Sequence, residues 1–339
     1  MKFAFIADIH LSRYGQDKIE DETDLPERLH SLKTVLDNIA KYCVDNNIRV
    51  MVIGGDILHG KSIIYAIAQD IMLDYIEHWS DMIRFYVIDG NHDLSGKGSK
   101  VVSALRPLRN SNSTTWIPYY ETLQLGNILF VPYGPSMVDT IKNNSSKILI
   151  SHFGLNEGML NSGISIISDL SLKTLIGKYE LVLLGHYHKP QEIIRDDISL
   201  YYVGSPIQLD WGEKNDIKRF LVVDSETLEV ESIPTEGYRK HIELDVTNSN
   251  KQEIIQLAQE AKKEGHYVKV VKKETIDLGL EDDFMVVEKI DRDITNRGIT
   301  SSMSQEDKFK KFLEIKEITE NDHEEYLNKA RQLVDRCEG

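Results

Sequence analysis

The chain has 339 residues, is 41% hydrophobic and carries a formal net charge of −15. The length suggests about two domains and the apolar content a packed core. The negative balance disfavours non-specific binding to nucleic acid or anionic membranes, so a polyanionic substrate would have to be met by bound cations or a local basic patch. Apolar runs stay far short of the ~18 residues of a membrane helix. "MKFAFIADIH" is too short an apolar run for a signal peptide. With Cys43 and Cys337 as the two cysteines, a reduced, cytoplasmic compartment without membrane association is expected.

Met1 to Ile9 reads as a strand. A helix follows from near Pro26 to near Asn46, with Leu29, Leu32, Leu36, Ile39 and Cys43 at helical spacing. Val50–Ile53 is a short strand, Ser62–Trp79 a second helix, and Arg84–Ile88 a strand. Glu121–Val131, broken at Gly126-Asn127, reads as a hairpin. Further strands are expected at Lys147–Ile150, Leu181–Leu184, Ile198–Val203 and Arg219–Val223, with a second hairpin turning around Ser225-Glu226-Thr227. Strands alternating with helices early and hairpins late predict a layered α/β sandwich with mixed central sheets. Beyond Pro234, "HIELDVT", a helix over about Lys251–Glu264 and "YVKVV" suggest a small α+β module. The polar stretch from Asp291 to Ser304 reads as a linker. Two short helices follow, opened by the capping pairs Ser304/Asp307 and Thr319/Asp322. One apolar face carries Phe309, Phe312 and Leu313; the other carries Tyr326, Leu327, Ala330, Leu333 and Val334.

Five apolar runs end in one kind of chemistry. "FAFIADIH" ends in Asp8 and His10, "VMVIGGDILH" in Asp56 and His59, and "FYVIDGNHD" in Asn91, His92 and Asp93. "KILISH" ends in His152 and "LVLLGHYH" in His186 and His188. Ligands of open α/β sheets sit outside the carboxyl ends of the strands. Any one of these residues alone would read as a cap, a turn residue or a hydrogen-bonded histidine. Converged, the set demands a cation. Carboxylate, imidazole and amide oxygen without thiolate suit Mn²⁺, Fe²⁺ or Zn²⁺. The ligands are too many for one ion, and two ions ~3.5–4 Å apart sharing a carboxylate would use them. Such a pair lowers the pKa of a water towards ~7 and stabilises both oxygens of a phosphoryl displacement.

The series D-x-H, G-G-D-x-x-H, G-N-H-D, S-H and G-H-x-H, spread over about Met1–Pro234, resembles the calcineurin-like metallophosphoesterases. "GHYHKPQ", "YYVGSPIQLDWGE" and His59 make the narrower resemblance one to DNA nuclease subunits of the SbcCD type. The resemblance implies that Asp8, His10, Asp56 and His188 hold one divalent ion. It implies that Asp56, Asn91, His152 and His186 hold the other, with Mn²⁺ favoured and Mg²⁺ an alternative. It gives His92 the role of protonating the leaving 3′ oxygen or stabilising charge on the phosphoryl group. His59 would assist at the phosphate, and Asp93 is expected to orient His92.

The implied function is 3′–5′ exonuclease and single-strand endonuclease activity in DNA end processing, recombination, repair and replication, alongside an SMC-like coiled-coil ATPase. A homodimer is also implied. The implied boundaries are a nuclease domain (1–236), a capping domain (237–291), a linker (292–304) and C-terminal helices for the ATPase (305–339). Leu94 to Tyr120 contains no acidic residue but carries Lys97, Lys100, Arg106 and Arg109. With Arg13 and Tyr14 these are candidate DNA contacts. The alternatives are a small-molecule phosphodiesterase of the same fold and a non-catalytic scaffold; the compact length and tail also fit a phage protein.

Overall fold

The aliphatic runs become strands covered on both faces, which is why they read as continuous rather than alternating. The computed structural model describes residues 1–14, 19, 25–61, 63–96, 100–159, 168–195, 197–246, 250–272, 284–288, 303, 305–316, 318–319, 322–324, 326–327 and 329. The chain runs β1 (Lys2–Ile6), α1 (Glu27–Asp45), β2 (Val50–Ile53), α2 (Ala66–Trp79), β3 (Arg84–Ile88), β4 (Leu94–Ser95), β5 (Val102–Ser103) and β6 (Thr114–Ile117). Next come β7 (Leu123–Leu125), β8 (Ile128–Val131), α3 (Met137–Asn143), β9 (Ile148–His152), α4 (Leu172–Leu175), β10 (Leu181–Gly185), β11 (Gln191–Arg195) and β12 (Ile198–Tyr202). The remainder is β13 (Arg219–Asp224), β14 (Val230–Pro234), β15 (His241–Asp245), α5 (Lys251–Lys263), β16 (Tyr267–Lys272), β17 (Met285–Glu288) and α6 (Gln305–Ile315).

One six-stranded sheet has the order β14-β13-β1-β2-β3-β6 and the other β11-β12-β10-β9-β8-β7. In the first, β1, β2, β3 and β6 are parallel and the β13–β14 hairpin is antiparallel. In the second, β8, β9, β10 and β12 are parallel, with β7 and β11 antiparallel at the edges. The sheets face one another. Phe3, Phe5, Ala7 and Val52 of the first pack on Phe130, Ile150 and Leu183 of the second. Alternate residues turn outward, so Ala4, Ile6 and Met51 meet Leu32 and Leu36 of α1 and Met72 of α2. On the far side Leu129, Leu149 and Leu184 meet Ile141 of α3 and Leu175 of α4. This is the expected mixed α/β sandwich, in four layers. Burying each such side chain contributes about 1.5–3 kcal/mol.

The five apolar positions expected on α1 are all buried. The expected hairpins form, with Leu125 opposite Ile128 and Val223 opposite Val230. Three differences have local causes. β1 stops at Ile6 rather than Ile9, because Asp8 and His10 take positive φ of 54° and 53° and leave the strand. α2 starts at Ala66, because Tyr65 before it is extended. The polar run "TTWI" becomes β6, the fourth parallel strand of its sheet; its composition hid it within the basic stretch.

Residues 1–244 with 252–269 form one compact unit, and residues 245–251 with 270–339 a second. The first holds both six-stranded sheets; the second holds β17 and α6. On α6, Leu313 is buried, Phe309 half-buried and Phe312 exposed, and the two phenylalanine rings stack at 6.4 Å. Beyond it Tyr326 is exposed and Leu327 buried. The Thr319 hydroxyl donates to the Asp322 carboxylate at 2.5 Å, and the Asp322 N–H to the Thr319 carbonyl at 2.9 Å, so the expected pair meets side chain to side chain rather than as a capping box. Ser304, Ala330, Leu333, Val334 and most of the expected linker lie outside the described residues. No helix among the described residues is long and apolar enough to cross a membrane.

Candidate metal centre

The ends of β1, β2 and β3 are neighbours in one sheet and those of β9 and β10 in the other, so five carboxyl ends meet at one rim. Backbone geometry brings the loops close there. Gly54 N–H donates to Ile6 O at 2.7 Å, Asp8 N–H to Gly55 O at 3.1 Å, and His10 N–H to Asp56 O at 3.0 Å. Asp8, His10, Asp56 and His186 all have left-handed φ, between 53° and 96°. Such a conformation costs an L-residue roughly 1–2 kcal/mol, and strain of this kind concentrates at functional sites. Gly90 permits the contact of the β3 loop with the β2 loop of its own sheet, and Gly185 the contact of one sheet's loops with the other's. A Cβ on Gly90 would lie 2.2 Å from Asp56 Oδ1, and one on Gly185 would lie 2.7 Å from both Gly54 O and His152 Nδ1.

Asp8, Asp56, His10 and His152 are almost fully buried. Oxygens and nitrogens of Asp8, His10 and His188 lie within 4.8 Å of one another, as do those of Asp8, Asp56 and His152. His10 Nε2 is 2.9 Å from His188 Nε2 and 3.6 Å from Asp56 Oδ2. His152 Nε2 is 3.3 Å from Asp56 Oδ2 and 3.1 Å from Asn91 Oδ1, which is itself 3.0 Å from His186 Nδ1. The His186 N–H donates to both Asp8 oxygens at 3.0 Å. All seven expected ligand residues therefore come together, with Asp56 between the two halves. Acceptor atoms gathered this densely, including two buried carboxylates, fit divalent cations.

The electrostatics shows mutual compensation. Burial pushes the Asp8 carboxyl up and the His10 imidazole down. Burial and the nearby His152 take His186 down to about 3. Against burial, Asp56 raises His152 to about 9, and His152 in turn holds Asp56 low. A bound cation would take over the balancing of these charges.

His92 and His59 stand at the mouth, their rings stacked at 5.2 Å. His92 Nδ1 is 2.8 Å from His59 O. A carbonyl only accepts, so Nδ1 carries the proton and Nε2 is left for a substrate. His59 Nδ1 is 3.1 Å from His10 Nδ1. Asp93 does not do what the sequence led us to expect. Its carboxylate accepts from the N–H groups of Asp56 (2.8 Å), Gly90 (2.9 Å) and Leu58 (3.0 Å), while His92 is held by the His59 carbonyl and by its own N–H to Asp56 Oδ1 at 2.7 Å. Asp93 braces the Asp56 loop rather than the His92 ring.

Of the candidate DNA contacts, Arg13, Lys100, Arg106 and Arg109 are exposed, and Lys97 lies outside the described residues. Arg109 donates to the Tyr120 hydroxyl at 3.2 Å and lies 5.6 Å from the Trp116 ring. The Tyr14 hydroxyl donates to His10 O at 3.0 Å, with its ring 5.5 Å from His59 and beneath the Arg28 guanidinium.

Three further polar residues support the rim. Buried Asp89, directly after β3, accepts from Ser103 Oγ, Trp116 Nε1 and Tyr119 N–H; burial pushes its carboxyl up to about 6. Glu213 and Lys218 are buried beside His188. Lone Asp, Glu and Lys residues carry no sequence mark of burial. Glu213 ends the stretch "GSPIQLDWGE", whose mixture of small, apolar and acidic residues is the one available signal.

The chain belongs to the calcineurin-like phosphoesterase family, whose model matches residues 1–190. Its members are metal-dependent phosphoester hydrolases, and this chain carries the His/Asp cluster able to hold metal. It is 25% identical over 207 residues to the protein 244L of Invertebrate iridescent virus 6, named as a phosphoesterase, covering 56% of this chain and 70% of the relative. It is also 25% identical over 252 residues to exonuclease subunit 1 of Enterobacteria phage T4, covering 69% of this chain and 68% of that protein. Among solved structures, a dimetal phosphatase from Danio rerio is 10% identical and covers 69% of this chain and 99% of its own, at a TM-score of 0.43.

Proposed function

We propose that the chain is a DNA nuclease, the catalytic subunit of an end-processing assembly of the SbcCD type. The observation that carries the reading is the converged set Asp8, His10, Asp56, Asn91, His152, His186 and His188, with His92 and His59 at its mouth. Two divalent ions, Mn²⁺ by preference or Mg²⁺, would lie either side of Asp56 and supply Lewis acidity and a water of lowered pKa. Asp8, His10 and His188 face one position; Asn91, His152 and His186 face the other. His92, fixed through Nδ1, presents Nε2 to the leaving 3′ oxygen and as imidazolium donates its proton there. His59 contacts the phosphate. The name of the phage relative, an exonuclease subunit, supports a nucleic-acid substrate and a partner protein.

Exposed Lys100, Arg106 and Arg109, in a stretch without acidic residues, give this acidic chain a place to meet phosphates. Arg13, and Tyr14 beside His59, extend that surface. Exposed Phe312 of α6 and exposed Tyr326 beyond it, beside half-buried Phe309, would dock on the coiled coil of an SMC-like ATPase, while Leu313 and Leu327 are buried within the chain itself. A homodimer acting in the cytoplasm of a bacterial cell or phage-infected host completes the assembly.

The test offers end-labelled duplex, circular single-stranded DNA and a chromogenic phosphodiester to the protein with Mn²⁺. Shortening of the duplex from its 3′ ends and nicking of the circle are expected. His92→Asn should keep metal binding and lose about 10²–10⁴-fold in rate. Hydrolysis of the chromogenic ester alone would replace this reading with a small-molecule phosphodiesterase; no hydrolysis of any substrate would leave a scaffold.

A further inference from the structure

The histidines of the centre are not held alike. Where His152 and His92 place Nδ1 against backbone carbonyls, Gly54 O and His59 O, both at 2.8 Å, His188 places Nδ1 2.9 Å from the Glu213 carboxylate. Glu213 is only 1% exposed. Its other oxygen accepts from Lys218 Nζ at 2.7 Å, Ser205 Oγ at 3.1 Å and Leu209 N–H at 2.9 Å. Lys218 is among the largest fully buried side chains, and its Nζ also donates to the His188 carbonyl at 2.8 Å. The result is a closed ring, from the His188 imidazole through Glu213 and Lys218 back to the His188 main chain. It spans the two sheets, since His188 follows β10 and Lys218 precedes β13. Asp216 Oδ2, 3.4 Å from Lys218 Nζ, is the second carboxylate on the ammonium.

We propose that Glu213 and Lys218 are positioning residues that fix His188 with its proton on Nδ1, so that the Nε2 lone pair points at a cation and only one of the two cations is tightened. The inference rests on the metal-dependent reading above. A carboxylate behind a metal-ligating imidazole orients the ring and raises its basicity more than a carbonyl does, and loss of such a partner costs 10–100-fold in metal affinity. A buried ammonium is costly unless paired. Here it is paired with the carboxylate that needs to stay charged, and it holds the His188 backbone as well. Buried ionic groups of this kind suit a fixed geometry more than added stability. Because His188 faces Asp8 and His10 and not Asn91, the effect belongs to the ion of that half.

The experiment is a Mn²⁺ titration of the full chain, reading free Mn²⁺ by electron paramagnetic resonance, for wild type, Glu213→Gln and Lys218→Met. The same proteins, metal-free with ¹⁵N-labelled histidine, report which ring nitrogen of His188 carries the proton. We expect two ions in wild type, a 10–100-fold weakening of one with the other within twofold in Glu213→Gln, and a smaller weakening of the same ion in Lys218→Met. The His188 signal should be Nδ1-protonated in wild type and shift towards a tautomer mixture in Glu213→Gln. Equal weakening of both ions, or two unchanged affinities, overturns the proposal. Wild type that binds no Mn²⁺ overturns the metal reading beneath it, whereas wild type binding two ions with an unaltered Glu213→Gln removes the clamp alone. Should Glu213→Gln not fold, Lys218→Met decides by the same criteria, because it leaves the carboxylate in place.

Discussion

The two ends of the facing sheets solve the same problem, reversing the chain, in opposite ways. At the amino end of the parallel strands two hairpin turns brace each other: Asn127 Nδ2 donates to Ser225 O at 2.5 Å, and Ser225 N–H to Met1 O at 2.9 Å. Gly126 there has a φ of 58°, and a Cβ would meet nothing within 4 Å. At the carboxyl end four non-glycine residues carry left-handed φ, buried carboxylates are packed together, and glycines sit where a methyl group would collide. The amino end has satisfied polar groups and open space, although Leu228 in the β13–β14 turn and Asn47 ahead of β2 also take left-handed φ, of 62° and 58°. The carboxyl end adds crowding and buried carboxylates that are balanced only by neighbouring imidazoles and that a bound cation would balance in their place. Buried charge and crowding, rather than left-handed φ, mark out the candidate rim independently of any motif, since buried charge persists only where something requires it.

Methyl groups added at each end should give the largest separation. Gly90→Ala would put its Cβ 2.3 Å from the Asp56 backbone N as well as against Oδ1. The Asp56 carboxylate must then move, and a ~1 Å displacement of a catalytic group is enough to cost about 10²-fold. We expect Mn²⁺ binding and hydrolysis to be lost to that extent or beyond. Gly126→Ala should lower stability by only about 1–2 kcal/mol, the cost of left-handed φ at an alanine, and leave metal binding unchanged. Calorimetry with and without Mn²⁺ reads both. Comparable losses of binding in the two variants would break the contrast.

Asp93→Ala probes how much of the rim's rigidity is intrinsic. It orphans three buried N–H groups, on Asp56, Leu58 and Gly90. Leaving one such group unpaired costs about 1–3 kcal/mol, so a loss of about 3–5 kcal/mol in denaturant stability is expected with partial relaxation. His92 should keep its Nδ1 proton on the His59 carbonyl, because Asp93 does not hold the ring. If the variant changed the His92 tautomer by NMR while stability stayed within about 1 kcal/mol, the bracing role would be wrong.

Much of this was legible in the sequence, unevenly. Period-free aliphatic runs followed by Asp, Asn or His pointed to the strands, the rim and all seven residues that converge there, because burial on both faces and a polar loop at the strand end each leave a compositional trace. β6 escaped, since "TTWI" is polar enough to be a loop and becomes a strand only by pairing with β3. The partner of Asp93 was misread, because adjacency to His92 in sequence does not set which way a buried carboxylate turns. Glu213 and Lys218 were invisible for the same reason: their charges read as surface until the fold closes them against His188.

The smallest expected effect lies at the amino end, where Asn127 does the work of a brace without strain. Its Nδ2 reaches across to Ser225 O, while its carbonyl takes the Ser146 hydroxyl at 2.7 Å and the Ile148 N–H at 2.9 Å. Asn127→Ala removes one side-chain hydrogen bond between the two hairpins and leaves the carbonyl in place. The Ser225 carbonyl it abandons belongs to a residue only 2% exposed, so the loss should be about 1–3 kcal/mol, the cost of a buried group left unpaired. Metal affinity should be unchanged, because β1 and β8 transmit no alternative arrangement to their far ends; they are packed on both faces with no room to slide. A loss above about 3 kcal/mol, or any weakening of Mn²⁺ binding, would mean that the two ends are mechanically coupled and that the amino end is part of the device rather than its plain counterpart.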